Sequence, residues 1–103
     1  MSSKVLTLLG FAAKAGKLSY GFSAGLEALT RTKARLIITA SDVSPKTKKE
    51  INFYAEKKGI TVVTLKNTEI FGLSNAVGHK CGIISVNDIG FTEALKEEII
   101  NDE

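Results

Sequence analysis

The segment RLIITASDVSPKTKKE, residues 35–50, joins two patterns that together indicate the fold. Its first part, Arg35–Ala40, is a continuous apolar and β-branched run, typical of a strand that is covered on both faces. Ser44 and Pro45 follow, a favoured N-cap residue and a favoured first helical residue, and they predict a helix from Ser44 to Lys58. A covered strand followed closely by a helix is the unit from which α/β proteins are built.

The rest of the chain continues this alternation of strands and helices. We expect further strands over Ile60–Leu65 and Cys81–Val86, a short extended piece at 18–20, and helices over 4–15, 21–31, 69–77 and the C-terminal residues. The serines ahead of the first helix are expected to cap it. In the last helix, the side chains of Phe91, Leu95 and Ile99 are expected to face the core. The predicted fold class is α/β: a three-layer α/β/α sandwich with a mixed, mostly parallel sheet.

Length and composition indicate one globular domain, residues 1–103. The chain is 44% hydrophobic and 24% charged, with no internal repeat or linker. The apolar run at 5–13 is shorter than the roughly 20 residues that span a bilayer, and its apolar spacing fits a folded helix. Cys81 is the one cysteine, so an internal disulfide is excluded and a reducing, cytoplasmic location is expected.

The net charge of +3 hides a strong asymmetry along the chain. Residues 88–103 hold six acids and one base, which leaves 13 bases and five acids, or +8, in residues 1–87. A basic body of this kind favours an anionic partner, with nucleic acid the first candidate.

The start of the predicted third helix carries three lysines, Lys46, Lys48 and Lys49. The N-terminal end of a helix is already positive, so lysines there are unfavourable unless an anion binds, and phosphate is the natural anion. The alternative is a solvated charged face, partly neutralised by Glu50 and Glu56.

Helical spacing assigns the faces of this helix. Ile51, Tyr54 and Ala55 are expected to face the core, while Lys49 and Phe53 turn outward. An outward Phe53 could stack on a base or contact a protein.

The segment Gly10–Leu18 has some likeness to a nucleotide phosphate loop. Five residues separate its glycines where that motif has four, and Leu18 stands where a metal-binding Ser or Thr is required, so we reject that interpretation. Lys14 and Lys17 are instead expected near Gly21, where they could hold backbone phosphates. The alternative, in which the glycines serve as a helix cap and a turn, leaves these lysines unexplained.

The sequence does not indicate an enzyme. His79 and Cys81 are too few ligands for a metal site, and no pair of acids lies in an apolar setting that would tune one of them. We therefore expect no catalytic residues, no metal and no cofactor.

An ordered set of segments carries a family resemblance: Leu9–Leu18, Gly21, Ala34–Ser44, Thr47–Lys49, Leu73 and Ala76–Gly78. With these segments the chain resembles a bacterial ribosomal-protein-like family of the YlxQ type. That family belongs to the kink-turn-binding superfamily of ribosomal proteins L7Ae and L30e. The resemblance extends over nearly the whole chain and implies RNA binding without catalysis.

The resemblance also implies three RNA-contacting elements. In the superfamily, one meets the sheared G·A pairs of a kink-turn and two flank its bulged nucleotides. On this sequence they correspond to Gly21, Phe22, Ser23, Ala24 and Glu27, to Ser41, Asp42, Val43 and Ser44, and to His79, Lys80 and Cys81. Together with the lysines, this gives the predicted RNA-binding residues: Lys14, Lys17, Gly21, Phe22, Ser23, Ser41, Asp42, Lys46, Lys48, Lys49, His79 and Lys80.

Three residues depart from the pattern of well-characterised kink-turn binders. Ser23, Ala24 and Glu27 stand where those proteins carry Asn, Glu and Lys. Ala24 cannot accept a hydrogen bond from a guanine edge, and Glu27 is negative where a phosphate-facing lysine is expected. These departures weaken the expected recognition of the G·A pairs. We therefore expect binding to depend more on contacts between the lysines and the RNA phosphate backbone.

The sequence thus predicts a monomeric, non-catalytic protein that binds structured, kink-turn-like RNA, for which ribosomal RNA is one candidate. No membrane association is expected. The alternative is a family member whose RNA surface has weakened and which serves as a protein-interaction module. A third reading, a small enzyme acting on phosphates or nucleotides, would need a general acid or base in a pocket.

Overall fold

The computed structural model describes residues 4–102, which form five helices and four strands. The capping serines expected ahead of the first helix lie outside the described residues. The elements in chain order are α1 Lys4–Lys14, β1 Leu18–Tyr20, α2 Phe22–Thr30, β2 Leu36–Thr39, α3 Pro45–Lys57, β3 Val62–Thr64, α4 Ile70–Val77, β4 Ile83–Val86 and α5 Ile89–Asp102.

The four strands form one mixed sheet in the order β1-β4-β2-β3. β2 pairs in parallel with β3, whereas β4 pairs antiparallel with both β1 and β2. The predicted α/β class and mixed sheet are confirmed, but the expectation of a mostly parallel sheet is wrong.

The antiparallel pairing follows from the path of the chain after β3. The Ser74 hydroxyl, within α4, accepts a hydrogen bond from the Cys81 N–H (2.9 Å) and donates one to the Cys81 carbonyl (3.1 Å). These bonds hold the chain beside the helix it has just left, so it returns to the edge of the sheet where β3 ends. β4 therefore enters the sheet from that edge, opposite in direction to β2.

Helices cover both faces of the sheet, which confirms the three-layer sandwich. Successive β2 residues point to opposite faces, and two apolar clusters result. The first joins α1, α4 and α5 to the sheet through Leu9, Leu73, Leu95, Leu36, Ile38 and Ile84. The second joins α2 and α3 to it through Leu29, Ile51, Ala55, Ile37 and Ile83. All four residues of β2 are buried, as its sequence predicts.

The start of α3 is as predicted. The Ser44 side chain accepts a hydrogen bond from the Thr47 N–H (3.2 Å), and Pro45 is the first helical residue. Ile51 and Ala55 are buried and Phe53 is exposed, also as expected. Tyr54, however, is 43% exposed. It lies at the margin of a narrow buried stripe and packs edge-on against Phe53 instead of entering the core.

Three helices end at glycines with positive φ, at the predicted positions Gly16, Gly59 and Gly78. Among the described residues, no helix has the length and apolar character needed to cross a membrane.

Candidate nucleic-acid interface

Four separate chain segments meet at one edge of the sheet, where β1, β2 and β3 end and β4 begins, and three of them contain residues predicted to bind RNA. The Gly21 N–H donates to the Ile83 carbonyl, the Ala40 N–H to the Gly82 carbonyl, and the Ser41 N–H to the Thr68 carbonyl, each at 2.8 Å. We call this surface, formed by residues 21–24, 40–49, 66–69 and 78–82, the loop edge.

The first segment of the loop edge begins at Gly21. This residue has φ 94° and ψ 168°, a conformation that is essentially restricted to glycine. It turns the chain from β1 into α2, so Ser23 is exposed on the first turn of the helix. Glu27 forms an ion pair with Arg31 (3.2 Å), in which both side chains are 63% exposed. The negative charge noted at position 27 is thus partly offset by a neighbouring guanidinium.

The second segment, residues 41–43, is tied to its surroundings by two side chains. The Asp42 carboxylate accepts a hydrogen bond from the Ile70 N–H at the start of α4 (2.8 Å). The Lys48 ammonium donates to the Ser41 carbonyl (2.9 Å). Both residues were predicted to bind RNA, and the structure gives each of them a protein partner within the interface.

Gly82 allows this segment to pack closely against the third. A Cβ atom at Gly82 would lie only 2.8 Å from the Val43 side chain and 3.1 Å from that of Ile70. Val43 is buried at this contact. The absence of a side chain at position 82 therefore lets the loop after β2 and the start of β4 lie side by side.

The lysines at the loop edge differ in exposure. Lys46, Lys49 and Lys80 are exposed, while Lys48 is half-buried. Lys66 is also exposed and lies two residues after β3 at the same edge, although it was not among the predicted RNA-binding residues. Its position immediately after the predicted strand 60–65 was the signal that could have identified it.

The third segment follows Gly78 and presents His79. The His79 ring stacks on Tyr20, with ring centroids 4.0 Å apart and an interplanar angle of 14°. Tyr20 was not predicted, because nothing in the sequence pairs a residue at the end of β1 with one 59 positions later. The stack fixes an exposed imidazole beside the start of α2.

A groove of about 460 Å³ runs from this stack along α1 and α4. It is lined by side chains that include Phe11, Lys14, Tyr20 and His79. Lys14 thus lies beside the third segment.

Lys17 does not lie near Gly21, contrary to expectation. Its carbonyl accepts a hydrogen bond from the Asn87 N–H (2.8 Å), which follows β4. Because β1 is extended between Lys17 and Gly21, the two residues lie at opposite edges of the sheet.

Two ionisable side chains near His79, those of Tyr20 and Cys81, have raised pKa values. Burial raises the pKa of the Cys81 thiol. Burial and the neighbouring Cys81 raise the pKa of the Tyr20 hydroxyl. A protonated thiol is a poor nucleophile and metal ligand. Across residues 4–102, no group of three or more His, Cys, Asp or Glu side chains is arranged to hold a metal ion.

Residues 3–96 match the sequence model of the Ribosomal protein L7Ae/L30e/S12e/Gadd45 family. The chain belongs to this family. The expectation that the chain is not an enzyme is confirmed by this membership, since the family is named for ribosomal proteins and its matched relatives are ribosomal proteins.

Two relatives are large ribosomal subunit proteins eL30. The protein from Yarrowia lipolytica is 31% identical over 97 residues, which cover 88% of this chain and 84% of that protein. The protein from Aeropyrum pernix is 26% identical over 85 residues, covering 82% of this chain and 85% of that protein.

Two solved structures are also similar. A protein of unknown function from Bacillus halodurans has a TM-score of 0.89 and 31% identity, and the match covers 96% of this chain and 99% of that one. The Giardia lamblia 15.5kD RNA binding protein has a TM-score of 0.76 and 21% identity, covering 93% and 82% of the two chains, and shares the fold.

Proposed function

We propose that this chain is a non-catalytic, cytoplasmic RNA-binding protein of the bacterial YlxQ type, which recognises structured, kink-turn-like RNA as part of a ribosome or ribonucleoprotein. Residues 1–103 act in this proposal as a single domain and a monomer. The observation that carries it is the convergence, at the loop edge, of the three segments that the family resemblance gives as RNA contacts. The names of its ribosomal relatives support the same function.

The electrostatics of α3 favour phosphate at this edge. Lys46 and Lys49 are exposed on its first turns, where the helix dipole is already positive. Ammonium groups and dipole repel one another there in the free protein, and a bound phosphate would be attracted by both. Lys80 adds a further charge from the third segment.

Base recognition is expected to be weaker than backbone binding. Ser23 is exposed and can donate or accept a hydrogen bond, but Ala24 offers no polar group to a G·A pair. The exposed face of the His79–Tyr20 stack offers a surface on which an unpaired base can stack. We therefore expect recognition of RNA shape, with modest dependence on sequence.

Binding can be tested by fluorescence anisotropy with two RNA hairpins of equal length, one containing a kink-turn and one fully paired. We expect tighter binding to the kink-turn hairpin and a steep fall in affinity with salt. Replacing Lys46 and Lys49 together by Ala should reduce the slope of log K against log [salt] by about one to two units, because each phosphate contact releases counterions.

The matched control is the double variant Lys57→Ala and Lys58→Ala, which removes the same charge from the far end of the same helix. Its slope should stay close to that of the wild type. A wild-type protein that binds neither hairpin would overturn the proposed function. Equal slopes for the two double variants would overturn the phosphate role of the α3 start.

An exposed aromatic pair favours protein binding as the second candidate function. Phe53 is 53% exposed and packs edge-on against Tyr54, and the Lys57 ammonium lies 4.4 Å from the Phe53 ring centroid. Cross-linking in cell extract followed by nuclease digestion separates the two functions. A protein partner that stays attached after digestion would favour this alternative, whereas loss of the complex would favour RNA.

A further inference from the structure

We propose that Lys48 is a positioning residue of the loop edge: its ammonium holds residues 41–43 in the RNA-binding arrangement and does not itself bind a phosphate. This inference rests on the proposed function and divides the lysines at the start of α3 into two roles. Lys46 and Lys49 contact the RNA backbone, and Lys48 supports the loop beside them.

The direction of the Lys48 side chain is the first observation. Its ammonium donates to the Ser41 carbonyl at 2.9 Å. Ser41 lies seven positions earlier in the sequence, before the helix begins. Lys48 is half-buried in consequence, although Lys46 and Lys49 on the same turns are exposed. A hydrogen bond from a charged donor to a partly buried carbonyl is stronger than one between neutral groups.

The other contacts of the same loop give this bond its importance. The Ser41 N–H is bonded to the Thr68 carbonyl, and the Asp42 carboxylate is bonded to the Ile70 N–H. These contacts fix the loop to the side that carries α4. Lys48 fixes it to α3, so the segment is held between two helices and needs little ordering when RNA binds.

The two roles differ in their dependence on salt. A lysine that neutralises a phosphate releases condensed counterions, so its removal makes log K less dependent on log [salt]. A lysine whose ammonium remains bonded to a carbonyl in the free and bound protein releases none. Its removal should lower affinity by the same factor at every salt concentration.

The test compares Lys48→Met and Lys49→Met, which remove the charge and retain an apolar side chain of similar length. With the kink-turn hairpin, we expect Lys48→Met to weaken binding about three- to tenfold with an unchanged salt slope. Lys49→Met should reduce the slope by about one unit. Lys48→Arg keeps a cationic donor and should restore most of the affinity.

Hydrogen exchange in the RNA-free protein provides a second readout. The Ser41 amide should exchange faster in Lys48→Met than in the wild type, and at the wild-type rate in Lys49→Met. Thermal unfolding checks that both variants remain folded at the temperature of the assay. Because this measurement needs no RNA, it reports on the support of the loop even when binding is lost.

Different results would contradict the positioning role of Lys48 and the proposed function. A slope that falls in Lys48→Met as much as in Lys49→Met, with unchanged exchange at Ser41, would overturn the positioning role and make Lys48 a phosphate contact. A wild-type protein that does not bind the hairpin would overturn the proposed function instead.

Discussion

Cys81 illustrates how the environment of one residue determines its chemistry. Its side chain is 6% exposed, its backbone is held by the Ser74 hydroxyl, and burial raises its thiol pKa. The thiolate is the nucleophile that attacks a disulfide reagent, so burial of the side chain and its raised pKa both slow the reaction. We expect modification by a disulfide reagent to be at least about tenfold slower in the folded protein than in urea. Equal rates would show that the loop after Gly78 opens readily.

The raised pKa also predicts how stability depends on pH. A thiol with a higher pKa in the folded state binds its proton more tightly there, so the stabilisation is present below the ordinary thiol pKa and is lost as pH rises through the folded value. Urea unfolding of the wild type and Cys81→Ala at about pH 7 and about pH 10 isolates this contribution. The wild type should lose more stability than the variant, and equal losses would contradict the raised pKa.

Several residue roles could be predicted from the sequence because they depend on near neighbours. Ser44 caps α3 within its own turn, and Gly78 ends α4 where the apolar pattern stops. Asp42 was predicted in the second RNA-contacting element and Lys48 among the lysines of α3, but the protein partners of these two side chains were not predicted. The partner of Asp42 lies 28 positions away, so its identity depends on the folded arrangement of two helices.

At the scale of elements, the N-cap glycine of α2, Gly21, and the glycine inside the helix, Gly25, have opposite requirements. Gly21 has φ 94° and open space around a would-be Cβ, so Gly21→Ala should cost about 1–3 kcal/mol from backbone strain alone. Gly25 lies inside the helix, and a Cβ there would meet the Ile83 and Ile51 side chains at 3.7 and 3.8 Å, which is ordinary contact. Gly25→Ala should stabilise the protein by about 0.5–1 kcal/mol. Urea unfolding followed by circular dichroism measures both, and effects of the same sign would contradict this account.

The start of α4 is stabilised by a carboxylate from another segment. Among the described residues, Asp42 rather than the N-cap residue Glu69 accepts the hydrogen bond from the Ile70 N–H. Asp42→Ala should therefore cost about 1 kcal/mol, and Asp42→Asn less, because the amide oxygen still accepts. The measurement combines urea unfolding with hydrogen exchange at the Ile70 amide.

Asp88 provides the control for this prediction. Its carboxylate accepts from the Phe91 N–H at 2.8 Å, a local cap at the start of α5. Asp88→Ala should destabilise the protein by a similar amount and leave exchange at the Ile70 amide relatively unchanged. Faster Ile70 exchange in Asp88→Ala, equal to that in Asp42→Ala, would show general destabilisation rather than loss of a specific cap.

Element positions could be predicted closely, whereas the direction of β4 could not. Hydrophobic runs and glycines placed the first four helices and all four strands within one or two residues of their observed bounds, whereas no bounds were predicted for the C-terminal helix. The runs carry no information on strand direction, and the standard crossover suggested parallel pairs. The direction of β4 follows from the return of the chain beside α4, where Ser74 bonds to Cys81, and this return is a tertiary feature.

At the scale of the whole molecule, the fold brings the predicted segments together from distant parts of the sequence. Strand order and the return of the chain after α4 bring residues 21–24, 40–49 and 78–82 to one edge of the sheet. The family resemblance named these segments as RNA contacts. Lys17 was wrongly expected near Gly21. The extended strand β1 lies between them and places the two residues at opposite edges of the sheet.

The central claim is that structured RNA binds at the loop edge, and chemical-shift mapping tests it most directly. Titration of ¹⁵N-labelled protein with the kink-turn hairpin should shift the backbone amide signals of residues 21–24, 41–44, 46–49 and 78–82. The amides of Lys17 and Asn87, at the opposite edge, should stay in place. Shifts concentrated at that opposite edge, or a titration that leaves the loop edge unchanged, would contradict the account.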